Sequence, residues 1–505
     1  KTMKNTGITR LITVLAAVAL LLCSVAGLAS CADKTDPESG AGTTAAVVDT
    51  ANGSDSAPEA TTAPDIDPHV AALDWKGGDF IVLYNGNDVE PNLDFIGEEI
   101  NGSTLNDAVY TRNVSVQEKH KLVIKPVFKS DANIEDAVTK SIKGGELVAH
   151  LVEANQTYST TMAIKGNLYT LDELTGINMS KPYWSDSFLA GSSLRGKNYF
   201  AYSDANVHAF GATPCTIFNK KVHNDFNLES IYALVDDLQW TFAKMSEMVK
   251  AVTGDLDGDQ VITKDDRLGM IANTFCIDCF ISGSGYPMIV KDDNDLPKLN
   301  ILDEKFFTII ESIQSLCSAE NGMFLVDRTS TATEAREYWT EQAITSDRAL
   351  FWIGNFKCVE RLRSSPSDFG VVPIPMANAD QGEYKIHMQA NIGASMSVPR
   401  STSNFEEVSL ILEDIAYQSS LDVMPAYMEV LIQGRSIRDV ESLRCIQIIR
   451  NSYYCDMGFM LGNYGIGILG NCRAIVKDNT DIVSTLTKSA SGFDRSLKNL
   501  AKQVN

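Results

Sequence analysis

Basic residues, histidine and tryptophan are scarce in this chain of 505 residues. Its 43 lysines and arginines are outnumbered by 65 aspartates and glutamates, which gives a formal net charge of −22. Nucleic-acid backbones and anionic membrane surfaces repel a chain of this charge, so neither is an expected partner. The six histidines are not closely spaced, so we expect no zinc site built on them.

Sequence signatures of hydrolases are also missing. The chain contains no GxSxG, no HExxH and no serine–lysine motif, which are patterns that place a nucleophile or a catalytic zinc ion. Acidic residues are too numerous for the carboxylate pair of a glycosidase to be singled out. A tethered, secreted carbohydrate-active enzyme therefore stays open as one alternative.

The one long apolar run lies at the N-terminus. Basic residues precede an apolar stretch from Leu11 to Val25 that is short for a membrane span, and this pattern predicts a secretory signal peptide over residues 1–30. Residues 28–31, Leu-Ala-Ser-Cys, resemble a bacterial lipobox. The resemblance implies lipidation of Cys31 and a location on the extracellular face of the bacterial cell membrane. An ordinary signal peptide with a chance cysteine is the alternative.

Aromatic residues are absent between Cys31 and Trp75, where alanine, threonine, serine, aspartate, proline and glycine predominate. Such a segment buries too little apolar surface to offset the entropy of ordering it. The sequence predicts a lipidated, disordered tether over residues 31–74, followed by the folded body. The body is too long for one compact core, so two domains or lobes are expected.

Cysteines with redox or metal spacing are limited to Cys276 and Cys279, and no second pair of this kind accompanies them. Apart from Cys23 and Cys31 in the leader, the other cysteines stand mostly in apolar stretches, which is typical of buried free thiols. One or more disulfide bonds is the alternative.

From residue 79 the chain alternates between strand and helix patterns. "DFIVLYN", "LVIKPVF" and "ELVAHLVE" are apolar runs of strand length, and the two segments between them have helical spacing of apolar residues. Ser103 is the expected N-cap of the first helix, and a later helix opens near Thr241. Strand–helix–strand alternation indicates a parallel sheet, so the predicted fold class is α/β.

The order of motifs resembles that of bacterial extracellular solute-binding lipoproteins, the sugar-type receptors of ABC importers. The motifs are "LNDAVYTRNVSVQEKHKLVIKP", "LRGKNYFAYSDAN", "TIFNKK", "LQWTFAKMSEMVKAVTGDLDGDQVITKDDRLGM", "RALFWIGNF", "DFGVVPIPM", "NIGASMSVPRSTSNFEEVSLILEDIA" and "MPAYMEVLIQGRSIRDVES". They span nearly the whole chain after the tether. One departure is Lys357, which stands near the place of a second pocket aromatic.

The resemblance implies a two-lobed, periplasmic-binding-protein-like fold with a ligand cleft between the lobes and hinge crossings. It implies a monomer without enzymatic activity that captures a mono- or oligosaccharide and delivers it to ABC permease subunits. A binding receptor that serves a sensor is a second alternative. Lobe one would comprise residues 75–212 and 373–425, and lobe two residues 213–372 and 426–505.

Cleft residues are expected in loops that follow strands. The candidates are amides and carboxylates that pair with sugar hydroxyls, and aromatic rings that cover apolar sugar faces: Asn85, Asn87, Asp88, Glu153, Asn155, Gln156, Asp204, Phe275, Tyr286, Trp352, Asn355, Phe356, Gln389 and Asn391.

One acidic loop, over residues 255–266, has the spacing of a calcium site. Its aspartates occupy positions 1, 3, 5 and 12 of the loop, where oxygen ligands of calcium are expected. Gln260 stands where a glycine usually makes the sharp turn, and a left-handed backbone there would cost about 1–2 kcal/mol. We predict a structural calcium ion, with an acidic turn without metal as the alternative. The predicted ligands are Asp255, Asp257, Asp259, Val261 (backbone carbonyl), Thr263 and Asp266.

Overall fold

The computed structural model describes residues 66–85, 92–328, 333–432 and 439–504, which belong to one compact unit from Asp65 to Asn505. The predicted signal peptide, Cys31, most of the tether and the candidates Asn87 and Asp88 lie outside the described residues. Among the helices that are described, none combines the length and apolar character of a membrane span.

The folded body begins before Trp75. The backbone amide of Leu73 donates to Nδ1 of the buried His120 (3.2 Å), and Nζ of Lys181 donates to the carbonyl of Asp67 (3.2 Å). Asp67 and Leu73 thus contact the folded body, and the tether limit at residue 74 stays a prediction. Composition does not predict these contacts, because they are made by backbone groups, which any sequence offers.

The described strands form two sheets and one hairpin, β6–β7. They are β1 (Asp79–Tyr84), β2 (Val123–Phe128), β3 (Leu151–Asn155), β4 (Pro214–Asn219), β5 (Leu268–Ala272), β6 (Ile289–Lys291), β7 (Pro297–Leu299), β8 (Met323–Leu325), β9 (Ala349–Asn355), β10 (Phe369–Val372) and β11 (Ala394–Ser397).

Helices cover the faces of both sheets. They are α1 (Thr104–His120), α2 (Asp131–Gly144), α3 (Gln156–Ile164), α4 (Leu189–Ser192), α5 (Val207–Gly211), α6 (Lys220–Asp225), α7 (Ile231–Asp236), α8 (Phe242–Val252), α9 (Phe275–Gly283), α10 (Glu304–Leu316), α11 (Thr333–Thr345), α12 (Phe356–Arg361), α13 (Phe405–Leu421), α14 (Val423–Ile432), α15 (Val440–Asn451), α16 (Ile468–Asp478) and α17 (Ile482–Gln503).

The first sheet has the strand order β11–β3–β1–β2. Strand β1 runs parallel to β2 and β3, and β11 runs antiparallel to β3. Neighbouring residues of a strand point to opposite faces. Val82 and Leu151 accordingly join the core cluster that contains Ile411 of α13, whereas Leu83 and Val152 join the cluster that contains α2 and α3.

The second sheet has the strand order β10–β4–β9–β5–β8. Strand β5 runs parallel to β8 and β9, and β4 runs antiparallel to β9 and β10. All its strands come from residues 214–372, so the chain crosses between the sheets through α5 and again between β10 and β11. This arrangement confirms the predicted two-lobed α/β fold.

The lobe limits themselves stay a prediction. The boundary placed between residues 425 and 426 falls inside α14, and this helix packs against α1 of the first sheet.

Helix starts follow the sequence signals in part. The hydroxyl of Thr241 caps α8, where it accepts a backbone N–H at 3.4 Å, as predicted. Ser103 occupies the N-cap position of α1 without a side-chain hydrogen bond to the helix. The carboxylate of Asp107 accepts instead from the backbone amides of Asn101 and Gly102 (3.0 and 3.1 Å), so the first turn is fixed from inside the helix.

The eight cysteines from Cys215 to Cys472 are free, and all except Cys455 are buried. Burial raises the pKa of the Cys276 and Cys279 thiols well above the ordinary value, so these thiols stay protonated and weakly nucleophilic near neutral pH. The prediction of buried cysteines is confirmed for all of these residues except Cys455.

Candidate functional site

Side-chain amides from both sheets meet where the chain crosses between them. Asn155 ends β3, and its Nδ2 donates to the backbone carbonyl of Asn391 (3.1 Å). Asn355 ends β9, and its Nδ2 lies 3.3 Å from Oε1 of Gln389. Residues 389–391 therefore connect the carboxyl ends of β3 and β9, which is where ligands bind in open α/β sheets.

The same two asparagines have a structural task. The Oδ1 atom of Asn155 accepts from the backbone amide of Tyr158 (3.3 Å), and that of Asn355 accepts from the amide of Cys358 (3.1 Å). Each is the N-cap of the helix that follows its strand directly. Their oxygens are thus occupied, and their Nδ2 groups are the ones directed towards the crossing segment.

Asn85 supports this arrangement from β1. Its Oδ1 accepts from the backbone amide of Asn155 (3.1 Å), and its Nδ2 donates to Asp131 (2.7 Å). Because Asn85 is almost fully buried, its role in this conformation is to join the ends of β1 and β3.

A cavity of about 190 Å³ lies beside this crossing. Three of the predicted residues, Phe275, Gln389 and Asn391, line it. The other lining residues are Pro214, Asp278, Cys279, Ser282, His387, Met388, Ala390, Phe459, Leu469 and Arg473. The cavity thus combines apolar ring surfaces with amide groups from the crossing segment.

An ion pair missed by sequence reasoning closes one wall of this cavity. Arg473 of α16 donates to the buried Asp278 of α9 through Nε (2.8 Å) and also through a terminal nitrogen. Burial raises the pKa of Asp278 and the guanidinium opposes this rise. No sequence signal marks the pair, because its members are distant in the chain and neither follows a strand.

His387 is a second cavity residue that the sequence did not indicate. Its ring stacks on Phe459 with 4.4 Å between ring centroids, and its Nδ1 lies 2.5 Å from the carbonyl of Met388. Burial lowers the pKa of His387 to about 4. The ring is therefore neutral near pH 7, with its proton on Nδ1.

Asp204 lies in a different cleft, of about 440 Å³. Arg450 donates to its carboxylate at 2.7 Å, yet burial raises the pKa of Asp204 to about 6. Five aromatic residues contribute to the walls of this cleft: Tyr183, Trp184, Tyr202, Phe210 and Tyr453. Met388 lines both cavities, so the crossing segment stands between Asp204 and the other candidates.

Three predicted aromatic residues do not line the 190 Å³ cavity. The hydroxyl of Tyr286 donates to Asp303 beside a surface groove. Trp352 is 5% exposed within β9, and Phe356 is fully buried, with 5.2 Å between its ring centroid and that of Phe210. Phe356 presents no surface to a ligand in this conformation.

Glu153 and Gln156 flank the end of β3 and are both buried. The buried side-chain amide of Gln156 acts on the Tyr202 hydroxyl, and its Nε2 lies close to Gly393 of the crossing segment. Glu153 accepts a hydrogen bond from Nδ2 of Asn206 (2.9 Å) and is not among the residues that line the 190 Å³ cavity.

Comparison with known proteins gives matches among solved structures. No protein-family model and no curated protein matches the chain. The sugar-binding protein MalE of Xanthomonas citri matches with a TM-score of 0.57 at 9% identity, over 83% of this chain and 98% of that chain. An ABC substrate-binding protein of Listeria monocytogenes in complex with cycloalternan matches with a TM-score of 0.55 at 9% identity, over 84% and 99%.

A third match is the maltose/maltodextrin-binding domain MalE of Bdellovibrio bacteriovorus bound to maltotriose, with a TM-score of 0.54 at 14% identity, over 83% of this chain and all of that one. The chain has the fold of the ABC solute-binding proteins. Identities this low establish the fold alone. In this fold the crossing at residues 389–391 is an interlobe position.

The acidic loop lies in the second lobe, between α8 and β5. Carboxylate oxygens of Asp255, Asp257 and Asp259 lie within 4.8 Å of one another. Gln260 has φ = 68°, so the sharp turn is left-handed at a residue that is not glycine. The Asp255 carboxylate accepts from the backbone amides of Gly258 and Gln260 (both 2.7 Å).

Asp266, the last predicted calcium ligand, is directed towards the loop backbone. Its carboxylate accepts from the amide of Leu256 (2.8 Å) and from the amide and hydroxyl of Thr263 (2.8 and 3.0 Å). Asp266 and Thr263 therefore bind each other, and Val261 is exposed. The structure brings together three of the predicted ligand side chains.

Proposed function

We propose that this protein captures a saccharide between its two lobes without transforming it. The observation that carries the proposal is the meeting of Asn155, Asn355 and residues 389–391 beside a cavity that both lobes flank. Amide and charged groups can pair with hydroxyls, while the rings of Phe275 and Phe459 can cover apolar sugar faces. Sugar-binding proteins among the structural neighbours support the ligand class.

The cavity is smaller than most pockets that bind a ligand. Ligand pockets usually measure roughly 300–1,000 Å³, whereas this one measures about 190 Å³. An oligosaccharide therefore requires the lobes to part before it enters, and hinge motion of the two crossings would supply this opening.

A thermal-shift screen against a panel of mono- and oligosaccharides tests the proposal. A ligand at a hundredfold excess over its Kd stabilises the folded state by about 2.7 kcal/mol. Arg473→Gln should weaken this shift, since it removes a charged group from the cavity wall. Tyr286→Phe is the matched control, because its hydroxyl lies at the surface groove instead.

Mass spectrometry of the bound saccharide decides between a binding protein and an enzyme. We expect the ligand to be recovered intact in a one-to-one complex. Appearance of a cleaved or transferred product would overturn the proposal in favour of a carbohydrate-active enzyme.

We further propose that the protein is a lipoprotein of the extracellular membrane face and passes its ligand to an ABC permease. The cysteine at the lipobox-like position supports this. Cys31→Ser should abolish metabolic lipid labelling and shift the protein out of the detergent phase. Cys23→Ser, in the same leader, is the control and should retain both properties. Unchanged labelling of the Cys31 variant would exclude this anchor.

We also propose that residues 255–266 hold a structural calcium ion. The cluster of Asp255, Asp257 and Asp259 carboxylates supports this, because hard cations prefer such oxygen ligands. When bound, the ion would neutralise the mutual repulsion of the three carboxylates and stabilise the loop.

A further inference from the structure

A carboxyl pair is buried beside α5, away from the residues that line the 190 Å³ cavity. Asp94 and Glu153 are each 1% exposed, and each carboxyl group acts on the pKa of the other. Oδ1 of Asp94 accepts from the backbone amide of His208 (2.8 Å), and Oε1 of Glu153 accepts from Nδ2 of Asn206 (2.9 Å). The remaining oxygens, Asp94 Oδ2 and Glu153 Oε2, receive no hydrogen bond from the part of the chain that the structure describes.

Two ionised carboxylates in this position would be unfavourable for two reasons. They repel each other in a medium of low dielectric constant, and the side-chain amides of Asn206 and Asn92, which favour ionised Glu153, still leave Oδ2 of Asp94 and Oε2 of Glu153 without a hydrogen bond among the described residues. A single proton between the groups removes both costs, because one carboxyl then donates to the other.

We propose that Asp94 and Glu153 form a proton-binding site, in which a carboxylic acid of one residue donates to the carboxylate of the other in the folded protein near neutral pH. Burial and the Asp94 carboxylate raise the pKa of Glu153 well above its ordinary value, and burial likewise raises the pKa of Asp94. These directions agree with the geometric argument.

Two cations lie near the pair, one from each lobe. Arg112 of α1 is fully buried and donates to the backbone carbonyl of Asp94, and Asp422 lies in the field of the same guanidinium. Lys357 of α12 lies with its Nζ 2.9 Å from Nδ1 of His208. The titratable and charged groups that act on the pair are Tyr84, Arg112, His208, Lys357 and Tyr427. Behind them, Asp422 acts on Arg112 and Glu360 acts on Tyr427.

Lys357 is the cation that the second lobe contributes. It follows β9, whereas Asp94, Glu153 and Arg112 belong to the first lobe. Its positive charge lowers the pKa of Asp94, so any motion that withdraws α12 from His208 favours retention of the proton. The site therefore links proton binding to the contact between the lobes.

The sign of the pH effect follows from the direction of the pKa shifts. A group whose pKa is raised in the folded protein contributes stability at a pH below its unfolded pKa, and this stability is lost as the pH rises through the folded pKa. The wild-type melting temperature should therefore fall between weakly acidic and alkaline pH by more than that of a variant without the shared proton.

Infrared difference spectroscopy tests the site directly. At mildly alkaline pH, where Asp204 and Asp456, with pKa values of about 6, are ionised, wild type should retain the carbonyl band of a protonated carboxylic acid. Glu153→Gln should abolish that band, because the amide supplies a donor in place of the proton, and Asp94→Asn should do the same. Both variants should show a flatter dependence of melting temperature on pH.

Glu413→Gln is the matched control. Glu413 is equally buried, but its carboxylate accepts from Tyr183, Trp184 and Asn178 (2.7, 2.8 and 3.0 Å), so this change should leave the carbonyl band in place. Lys357→Met should preserve the band to a higher pH. Absence of the band in wild type, or its survival in both pair variants, would overturn the proposal.

Discussion

Two phenylalanines that the sequence predicted as ligand-binding residues differ in their exposure to solvent. Phe275 is partly exposed and lines the interlobe cavity, whereas Phe356 is fully buried against Phe210. Alternation along β9 could not reveal this, because all seven residues of the strand are buried and strand parity therefore does not distinguish core from surface. We therefore predict that Phe275, rather than Phe356, is the aromatic residue that contacts a ligand.

Two alanine substitutions test this assignment. Phe356→Ala should lower the free energy of unfolding by about 3–5 kcal/mol, because it leaves a cavity in a packed core. Phe275→Ala should cost less stability but weaken saccharide binding by about 1–3 kcal/mol, as loss of an anchoring ring does. Denaturant titration and calorimetry measure the two quantities separately.

The opposite pattern would contradict the assignment. If Phe356→Ala weakens binding while stability stays unchanged, the lobes open far enough to expose α12, and Phe356 is a ligand residue after all.

At the scale of single elements, the sequence locates strands and helices whose signals are local. β1 and β2 fall where the apolar runs predict them, and α2 ends at Gly144 with Gly145 in a left-handed conformation (φ = 67°), as the glycine pair indicates. The segment "ELVAHLVE" was predicted to be a strand throughout, yet β3 begins only at Leu151. The preceding His150 packs its ring against Trp75 and Phe80, a long-range contact that local propensity cannot show.

The residues of the candidate site likewise fall into those that local sequence signals predicted and those that they did not. The rule that ligands meet strand ends led to the prediction of Asn155 and Asn355, and Gln389 and Asn391 were predicted as cleft residues that precede "IGAS". The resemblance placed the second crossing earlier, near "VVPIP". Arg473 and Phe459 were not predicted as site residues, because they lie on C-terminal segments that are far along the chain from the other cavity residues. Their positions follow from packing of the whole second lobe rather than from any local pattern.

The calcium loop is an element whose occupancy can be measured. Asp255→Asn combined with Asp257→Asn removes two of the three clustered carboxylates, so calcium should no longer raise the melting temperature. For wild type we expect a gain of about 2.7 kcal/mol at a hundredfold excess over Kd. Asp265→Asn is the control within the same loop, since Asp265 is outside the cluster. Absence of any calcium effect on wild type would make the loop an acidic turn.

A substitution at Gln260 should strengthen calcium binding rather than abolish it. Its backbone is left-handed (φ = 68°), which costs a residue with a Cβ atom about 1–2 kcal/mol. Gln260→Gly should relieve this strain, offset in part by about 0.5–1 kcal/mol of chain entropy, and should tighten calcium binding. Calcium titration by calorimetry measures the change, and weaker binding by the variant would show that the Gln260 side chain supports the site.

At the scale of the whole molecule, the two sheets and their crossings imply a change of shape on binding. Saccharide should reduce the radius of gyration in solution scattering, because closure of two lobes around a ligand makes the particle more compact. Arg473→Gln should require more saccharide for the same reduction, whereas Tyr286→Phe should behave as wild type. Binding without a change in scattering would indicate that the lobes are held in one arrangement.

The free cysteines determine how this fold behaves outside its native state. The cysteines that the structure describes form no disulfide bond, so this part of the chain can reach its native state without an oxidant. Unfolding in air exposes the thiols that burial protects in the folded protein. Exposed thiolates then oxidise or exchange with disulfides. Heat-denatured protein should therefore refold in good yield only in the presence of a reductant, and should otherwise accumulate as disulfide-linked aggregates visible on non-reducing gels.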